Sequence, residues 1–215
     1  KKGTAGRFAP GLPAKGDGQL LFMLNGLAKL KDDGQMAIIQ NGSSLFNGDA
    51  GSGPSEIRRY LIENDWLDAI VQLPNNAFYN TGIATYIWLV MKNKPVTHQG
   101  KVQLIDASNC ASSRRKNIGL KNVDITKACR DLIVKAYGAY VDETYKGIEE
   151  NGNAIIVKSK VMDSVDLGYN KIVVETPQFD ENGNVMMKKN KLMVDTSKRD
   201  TENVPLAEDI DAYFE

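Results

Sequence analysis

The chain has 215 residues, and its 27 Lys+Arg and 27 Asp+Glu give a formal net charge of zero. That length holds one large domain or a domain with an extension, and the charge balance excludes a simple polycationic nucleic-acid binder while leaving room for a local basic face. An apolar fraction of 42% supports a packed core, and the longest apolar run, Tyr86–Met91, is strand-sized, well short of the roughly 18–20 residues of a membrane span.

Cys110 and Cys129 are too few for a disulfide framework and read as reduced thiols of a cytosolic protein. The single histidine, His98, excludes zinc sites and triads built on several histidines. The chain starts at Lys1 without Met or signal peptide and stops at Phe214-Glu215 inside a helical pattern. Both ends read as cut, so a fragment of a longer protein is expected.

Lys1–Gly18, rich in Gly, Pro and Lys, predicts a loop. Leu20, Leu21, Leu24, Leu27, Ala28 and Leu30 predict a helix over Leu20–Lys31, N-capped by Asp17 and stopped at Asp32-Asp33-Gly34. Met36–Ile39 predicts a short buried strand and Asn41–Gly53 a loop. Pro54 opens a second predicted helix that runs to about Glu63 and buries Ile57, Tyr60, Leu61 and Ile62. Leu67–Leu73, closed by Pro74, predicts a strand, and Asn75–Gly82 a loop. Ala84–Lys92 is apolar enough for a strand buried on both faces, and Val102–Asp106 predicts another. Alternating helices and strands give the α/β class. The connection from Leu73 to Ala84 is too short for a helical crossover, so those two strands should be antiparallel neighbours.

The second half changes character. Ser112–Asn117, with Arg114, Arg115 and Lys116, reads as a solvated basic loop that could also meet a phosphate backbone. Asp124–Tyr140 predicts an amphipathic helix with Ile125, Cys129, Leu132, Ile133, Ala136, Tyr137 and Tyr140 on one face. Asn151-Gly152 and Asn182-Gly183 are turn signals, with strands predicted over Ala154–Val161, Lys171–Thr176 and Asn184–Lys188. Pro205–Phe214 predicts a short helix.

No G-x-G-x-x-G, P-loop, G-x-S-x-G, Cys-x-x-Cys or His pair is present, and most acidic residues sit in turns. Taken by residues alone, the chain holds no self-sufficient active site. Two segments stand out. Gln40–Phe46 lies at the carboxyl end of a predicted strand, where open α/β sheets bind ligands. Leu73–Thr85 carries adjacent aromatics, three asparagines and a glycine between two strands. An aromatic on such a loop can stack on a planar base. The bland alternative is a turn with Phe78 tucked into the core.

A set of motifs sharpens this. They are Asp17-x4-Phe22, Leu30-x3-Gly34-x-Met36-Ala37-Ile38-Ile39 and Asn41-Gly42-x2-Leu45-Phe46, then Ile57-Arg58-x2-Leu61 and Leu67-x-Ala69-Ile70-Val71-x-Leu73-Pro74. Phe78-Tyr79-Asn80-Thr81-Gly82-Ile83-x-Thr85-x-Ile87 is the most specific, followed by Gly100-Lys101-Val102-x2-Ile105-Asp106-Ala107-Ser108. Leu167–Pro177 and Arg199–Leu206 complete the series. In combination they resemble modification subunits of type I restriction–modification systems, adenine-specific DNA methyltransferases that use S-adenosylmethionine. Asp17 through Asp106 is similar to the second half of the catalytic domain of that family.

The resemblance implies the C-terminal part of a Rossmann-like class I methyltransferase sheet plus an α+β extension. Met36–Ile39 would be its fifth strand, Leu67–Leu73 its sixth, and Ala84–Lys92 a reversed seventh inserted between them. Residues 1–110 would be the C-terminal half of the catalytic domain, and 111–215 a helix-plus-strand extension with the start of the tail. The family's Gly-rich cofactor loop and Asn-Pro-Pro-Tyr/Phe motif are absent from this chain. They are expected upstream of Lys1, so the fragment alone is expected to be inactive.

In the whole enzyme the resemblance implies base flipping of the target adenine beside the methyl donor. Phe78 matches the aromatic that stacks on the flipped base. Phe22 matches a position that packs on the adenine ring of S-adenosylmethionine, against the plainer reading of a helix core residue. Asn41, Thr81 and Gly82 would shape loops. No residue here is assigned to catalysis or metal binding. The implied partners are DNA, the specificity and restriction subunits and a second modification subunit, in the cytoplasm and without a membrane. A non-catalytic docking module for a specificity subunit or DNA stays open, as does a related fused restriction or phage-defence methyltransferase. An isolated half-sheet would also expose an edge where a fourth strand pairs, inviting self-association.

Overall fold

In the computed structural model, which describes residues 6–214, the most apolar segment of the chain is an interior strand. Strands β1 (Gln35–Asn41), β2 (Leu67–Gln72), β3 (Thr85–Met91) and β4 (Lys101–Asp106) lie side by side in the order β1-β3-β2-β4. β3 is antiparallel to both neighbours: Asn41 and Gln35 face Thr85 and Met91 on one side, Gln72 and Leu67 face Tyr86 and Val90 on the other. The short connection after β2 forces this reversal, and Leu73 N donates to Thr85 O at 2.8 Å as the chain turns back. β2 and β4 are parallel, with Gln72 opposite Asp106. The expected seventh strand therefore stands between the expected fifth and sixth.

β3 is covered on both faces. Alternation sends Trp88 and Val90, each 1% exposed, to one face and Ile87 and Leu89 to the other. On the first lie the conditions for an apolar run without polar interruption, as the sequence predicts for a doubly buried strand. Helices α1 (Gln19–Leu27) and α3 (Gly53–Glu63) bury Leu20, Met23, Leu24 and Leu27, and Ile57 and Leu61. Between β1 and α3 the chain makes one further turn of helix, α2 (Ser43–Phe46), inside the segment expected to be loop.

Beyond β4 comes a separate hairpin, β5 (Ser112–Ile118) and β6 (Lys121–Asp124), where a basic loop was expected. Helix α4 (Lys127–Ala139) follows, starting where Thr126 Oγ1 accepts from Cys129 N at 3.3 Å. Its apolar face carries Cys129, Leu132, Ile133 and Ala136 into a cluster with Val71, Ile105, Tyr145 and Val157. Strands β7 (Glu143–Ile148) and β8 (Ala154–Asp163) then extend the sheet, β8 antiparallel to β4 and β7 antiparallel to β8. Gly152, at φ +84°, makes the turn between them. The sheet thus continues past residue 110, and the chain divides into compact units at Ser164/Val165.

From Val165 onward, β9 (Tyr169–Val174) pairs antiparallel with β12 (Asp200–Pro205). Between them, β10 (Met187–Lys188) and β11 (Lys191–Leu192) are joined by Lys189 and Asn190, both at positive φ, a two-residue hairpin turn. Gly183, at φ +81°, sits in the expected Asn182-Gly183 turn, spanned by the Phe179–Val185 bridge. The final helix, α5 (Ile210–Tyr213), is shorter than expected because Asp200–Pro205 is strand and Asp209 supplies the cap. The predicted loop over Lys1–Gly18 is described from Gly6, with a 3-10 turn at Gly6–Phe8; residues 1–5 and Glu215 lie outside the described residues.

Three further expectations are corrected. α1 ends at Leu27, earlier than the predicted Lys31, and the carbonyl of Leu30 accepts instead from Lys92 Nζ at 2.7 Å. Its N-cap is Gly18, while Asp17 reaches past it to accept from Gln19 N at 3.3 Å. β7 escaped prediction because, as an edge strand reading Glu-Thr-Tyr-Lys-Gly-Ile, it buries only Tyr145. His98 is taken up in structure: its Nδ1 lies 2.8 Å from the fully buried carboxylate of Asp68, which also accepts from Tyr137 OH at 2.6 Å. Cys110 and Cys129 are free and fully buried, and burial pushes the Cys110 thiol up.

Trp88→Ala should cost about 3–5 kcal/mol in equilibrium urea unfolding, the range for deleting a large buried aromatic. A cost below about 1 kcal/mol would place β3 at the surface rather than inside the sheet.

Candidate functional site

The two segments singled out in the sequence meet at one rim of the sheet. β1 and β2 both run toward it and β3 starts from it, so Asn41, Leu73 and Thr85 lie together at the carboxyl ends of the parallel strands. β4 ends on the same rim, since Gln72 faces Asp106. This is where an open α/β sheet leaves backbone and loops free to hold a ligand.

One end of the rim is stiffened by a polar network around Gln19, the first residue of α1. Gln19 Nε2 donates to Asn41 Oδ1 and Ser43 Oγ, both at 2.8 Å, and Gln19 Oε1 accepts from Asn41 N at 2.7 Å. Asn41 Oδ1 also accepts from Ser43 N at 2.9 Å, fixing the start of α2. Ser43 Oγ lies 2.6 Å from both Asp17 Oδ2 and Asn41 Oδ1, and its single proton serves one of them at a time. Hydrogen bonds from Ser43 first, and from Gln19, hold the Asp17 carboxyl below the usual carboxylate range. Below this network, Gln40 Oε1 and Thr85 Oγ1 are buried without a hydrogen-bond partner among the described residues.

Phe22 stands one turn along α1 from Gln19, and its side chain is 69% exposed. That excludes the helix-core reading within this chain: Leu20, Met23, Leu24 and Leu27 fill the core and Phe22 points away from it. Phe46, at the end of α2, is exposed as well.

The other end of the rim is the loop from Leu73 to Thr85. Phe78 is half-buried, packed against the core cluster that includes Val71, Leu73 and Ile105, and bridges to Thr81. The adjacent Tyr79 is the open ring, 57% exposed. Thr81 Oγ1 accepts from Ile83 N at 3.4 Å, a local turn contact. Asn76 holds the left-handed region at φ +57°, which asparagine tolerates better than most residues. A Cβ on Gly82 would meet Asn76 Oδ1 at 3.4 Å, ordinary contact, so the backbone does not demand glycine there.

The β5–β6 hairpin docks on this loop. Leu120 N donates to Tyr79 O at 2.9 Å and Asn122 N to Asn76 O at 3.2 Å. Gly119 has φ +58°, and a Cβ there would lie 2.7 Å from Tyr79 O, so only glycine allows this approach. Lys121 Nζ sits 5.6 Å from the centre of the Tyr79 ring. Asn41 and the loop of Phe78, Thr81 and Gly82 thus share the rim. Ser43 belongs to the singled-out Gln40–Phe46 segment, whereas Gln19 and the hairpin belong to the rim without having been assigned to it from the sequence. Gln19 carried no sequence signal beyond its place two residues after Asp17. Among the described residues, no group of three or more His, Cys, Asp and Glu side chains is placed to hold a metal ion.

Comparison with known proteins places this geometry. Residues 1–174 match the model of the N-6 DNA methylase family. The methylase subunit of the type I restriction enzyme MjaIX from Methanocaldococcus jannaschii is 32% identical over 109 residues, covering 50% of this chain and 19% of that protein. The methylase subunit of the type I restriction enzyme MpnII from Mycoplasma pneumoniae is 35% identical over 124 residues, covering 57% of this chain and 21% of its own length. Among solved structures, the type I restriction-modification system methyltransferase subunit from Streptococcus thermophilus superimposes with a TM-score of 0.61 at 27% identity. The match covers 76% of this chain and 31% of that one. The chain therefore spans about a fifth of the length of these curated relatives.

The network makes a sign-definite acid prediction. Because the Asp17 pKa is depressed in the folded state, its stabilising effect is present above the ordinary carboxylate value of about 3.9 and is lost as pH falls through the lower folded value. Ser43→Ala should raise the Asp17 midpoint toward the ordinary value in an NMR titration of carboxyl carbons. An unmoved midpoint would show that Ser43 does not hold the carboxylate.

Proposed function

We propose that this chain, which belongs to the N-6 DNA methylase family, is a C-terminal portion of the modification subunit, an adenine-specific DNA methyltransferase, of a type I restriction–modification system. In that reading the longer subunit transfers a methyl group from S-adenosylmethionine to the amino group of adenine in DNA. The observation that carries it is the convergence of Gln40–Phe46 and Leu73–Thr85 on one rim, at the carboxyl ends of β1 and β2.

S-adenosylmethionine supplies the methyl group as a sulfonium substituent open to attack by a nucleophile. This chain's share is reception and orientation. Phe22 fits a cofactor contact, because its ring is exposed and stands three residues, about one helical turn, from Gln19 of the rim network. Phe78 receives the flipped base on its open side, and the core cluster it packs against holds the ring in place. A ring fixed in this way loses little freedom when a base stacks on it, an interaction worth about 1–3 kcal/mol. Asn41 and Thr81 hold the two loops in place, and the Gln19 network keeps the start of α1 and the end of β1 in register. Positioning of this kind, rather than acid–base chemistry, is the contribution these residues are suited to make.

β1 also supports a larger sheet. It ends the strand order and pairs only with β3 among the described residues, yet Ile39 in its middle is 50% exposed. An edge strand of that composition suits pairing with a further strand of the same domain. In the full complex the proposed partners are DNA, a specificity subunit, a restriction subunit and a second modification subunit, in the cytoplasm. Among the described residues no helix is long and apolar enough to cross a membrane.

The test uses the full-length subunit, assembled with its partners and supplied with tritiated S-adenosylmethionine. Phe78→Ala should reduce methyl transfer to duplex DNA by about 5- to 150-fold and leave cofactor binding nearly unchanged, the range that loss of a stacking energy of about 1–3 kcal/mol gives. Phe22→Ala should weaken cofactor binding instead. Equal loss of both functions in Phe78→Ala, or full activity with a strong effect from Tyr79→Ala, would remove Phe78 from the base pocket.

A further inference from the structure

The β5–β6 hairpin is the strongly charged element to which the reading above gives no task. Residues 112–124 carry Arg114, Arg115, Lys116 and Lys121 against Asp124 alone, in a chain whose net charge is zero. The ladder explains how those charges are displayed. Ser113 faces Val123 and Ile118 faces Lys121, so residues 114–117 stand opposite Asn122 alone and are pushed out as an enlarged bulge. Asn122 N, left without a ladder partner, finds Asn76 O in the neighbouring loop. The irregularity that extrudes the basic stretch is therefore the one that fastens the hairpin to the Phe78–Tyr79 segment.

The four cations divide into two pairs. Arg114 Nη1 lies 2.6 Å from Asp124 Oδ1, and Lys121 Nζ lies 3.1 Å from the same oxygen. Arg114 first, then Lys121, hold the Asp124 carboxyl below the usual range, so it stays ionised between them. Arg115 and Lys116 are exposed and enter no ion pair among the described residues. They are the uncompensated charges of the hairpin, and they sit on an element locked to the rim loop through Leu120, Asn122 and Gly119.

We propose that the β5–β6 hairpin is a DNA-backbone arm, in which Arg115 and Lys116 neutralise two phosphates beside the nucleotide whose base enters the Phe78 loop. The partner is duplex DNA because uncompensated, unpaired cations on an extruded strand match a polyanion, and because two backbone hydrogen bonds tie the arm to the base-receiving loop. Contacts of this class set position and affinity without reading sequence. They place the loop at a fixed distance from the strand it must open, which is what a flipped-base pocket needs from its surroundings. The inference rests on the DNA reading above and adds named residues to it.

The experiment measures the affinity of the full-length subunit, assembled with its partners, for duplex DNA as a function of salt. It compares wild type, Arg115→Ala/Lys116→Ala and the charge-preserving Arg115→Lys/Lys116→Arg. Removing two phosphate contacts should make the log–log salt slope about 1.8 shallower, from roughly 0.9 per contact. The weakening should be uniform across cognate and non-cognate duplexes. The charge-preserving variant should keep the wild-type slope, which a merely structural role would not require. A wild-type slope in the alanine variant, with wild-type methylation intact, would overturn the arm while leaving the methyltransferase reading in place. An unchanged slope with loss of a partner subunit from the complex would assign the hairpin to a protein contact instead. If wild type itself neither binds nor methylates DNA, it is the underlying reading that fails.

Discussion

The reversed insertion of β3 between β1 and β2 is the constraint on which the rest of the structure depends. A strand with partners on both edges and cover on both faces must be apolar throughout, and Thr85–Met91 is the most apolar stretch of the chain. Its direction follows from the connection before it, which is too short for a crossover helix. Once β3 is reversed, β1 and β2 are parallel and their carboxyl ends meet the start of β3 at one rim. Two loops distant in sequence are brought together there. The function attributed to the rim is thus a consequence of how one hydrophobic strand satisfies its backbone hydrogen bonds.

The rim is held by polar contacts rather than by apolar packing. Gln19, Asn41, Ser43 and Asp17 close a network in which nearly every donor and acceptor has a partner, and Asn41 both ends β1 and starts α2. At the opposite end of β2, the buried Asp68 is held by His98 and Tyr137, so the chain's one imidazole is occupied far from the rim. The aromatic groups divide in a similar way. Phe78 is anchored by the core, Tyr79 is open and bears on Lys121, and Phe22 is left out of the core altogether. A surface that presents rings backed by a stiff frame is suited to stacking on planar ligands with little loss of conformational freedom.

Much of this was legible in the sequence, for physical reasons that differ from element to element. The doubly buried β3 announced itself by composition, and its reversal by loop length. α4 was legible through its 3.6-residue period, although its start at Thr126 depended on a capping hydroxyl rather than on the apolar pattern. β7 was not legible, because an edge strand with a single buried residue carries no alternation to read. The hairpin was missed for a related reason: the residues 114–117 leave the ladder, so a strand signal is absent where the basic triplet lies. Gln19 was missed because a hub of side-chain hydrogen bonds has no periodic signature; its partners are assembled only by the fold. Phe22 was marked by resemblance alone and Phe78 also by its place in an aromatic loop between two strands, and the structure adds that one is open and the other half-anchored.

The most direct measurement is hydrogen–deuterium exchange of the full-length subunit, in its complex, with and without a cognate duplex. The account predicts that amides of residues 73–85 and of the hairpin at 112–124 slow together when DNA binds, while the Asp68–His98–Tyr137 end of the sheet is unchanged. Protection confined to the Asp68 end, or absent from residues 73–85, would contradict the assignment of the rim as the place where this chain meets DNA.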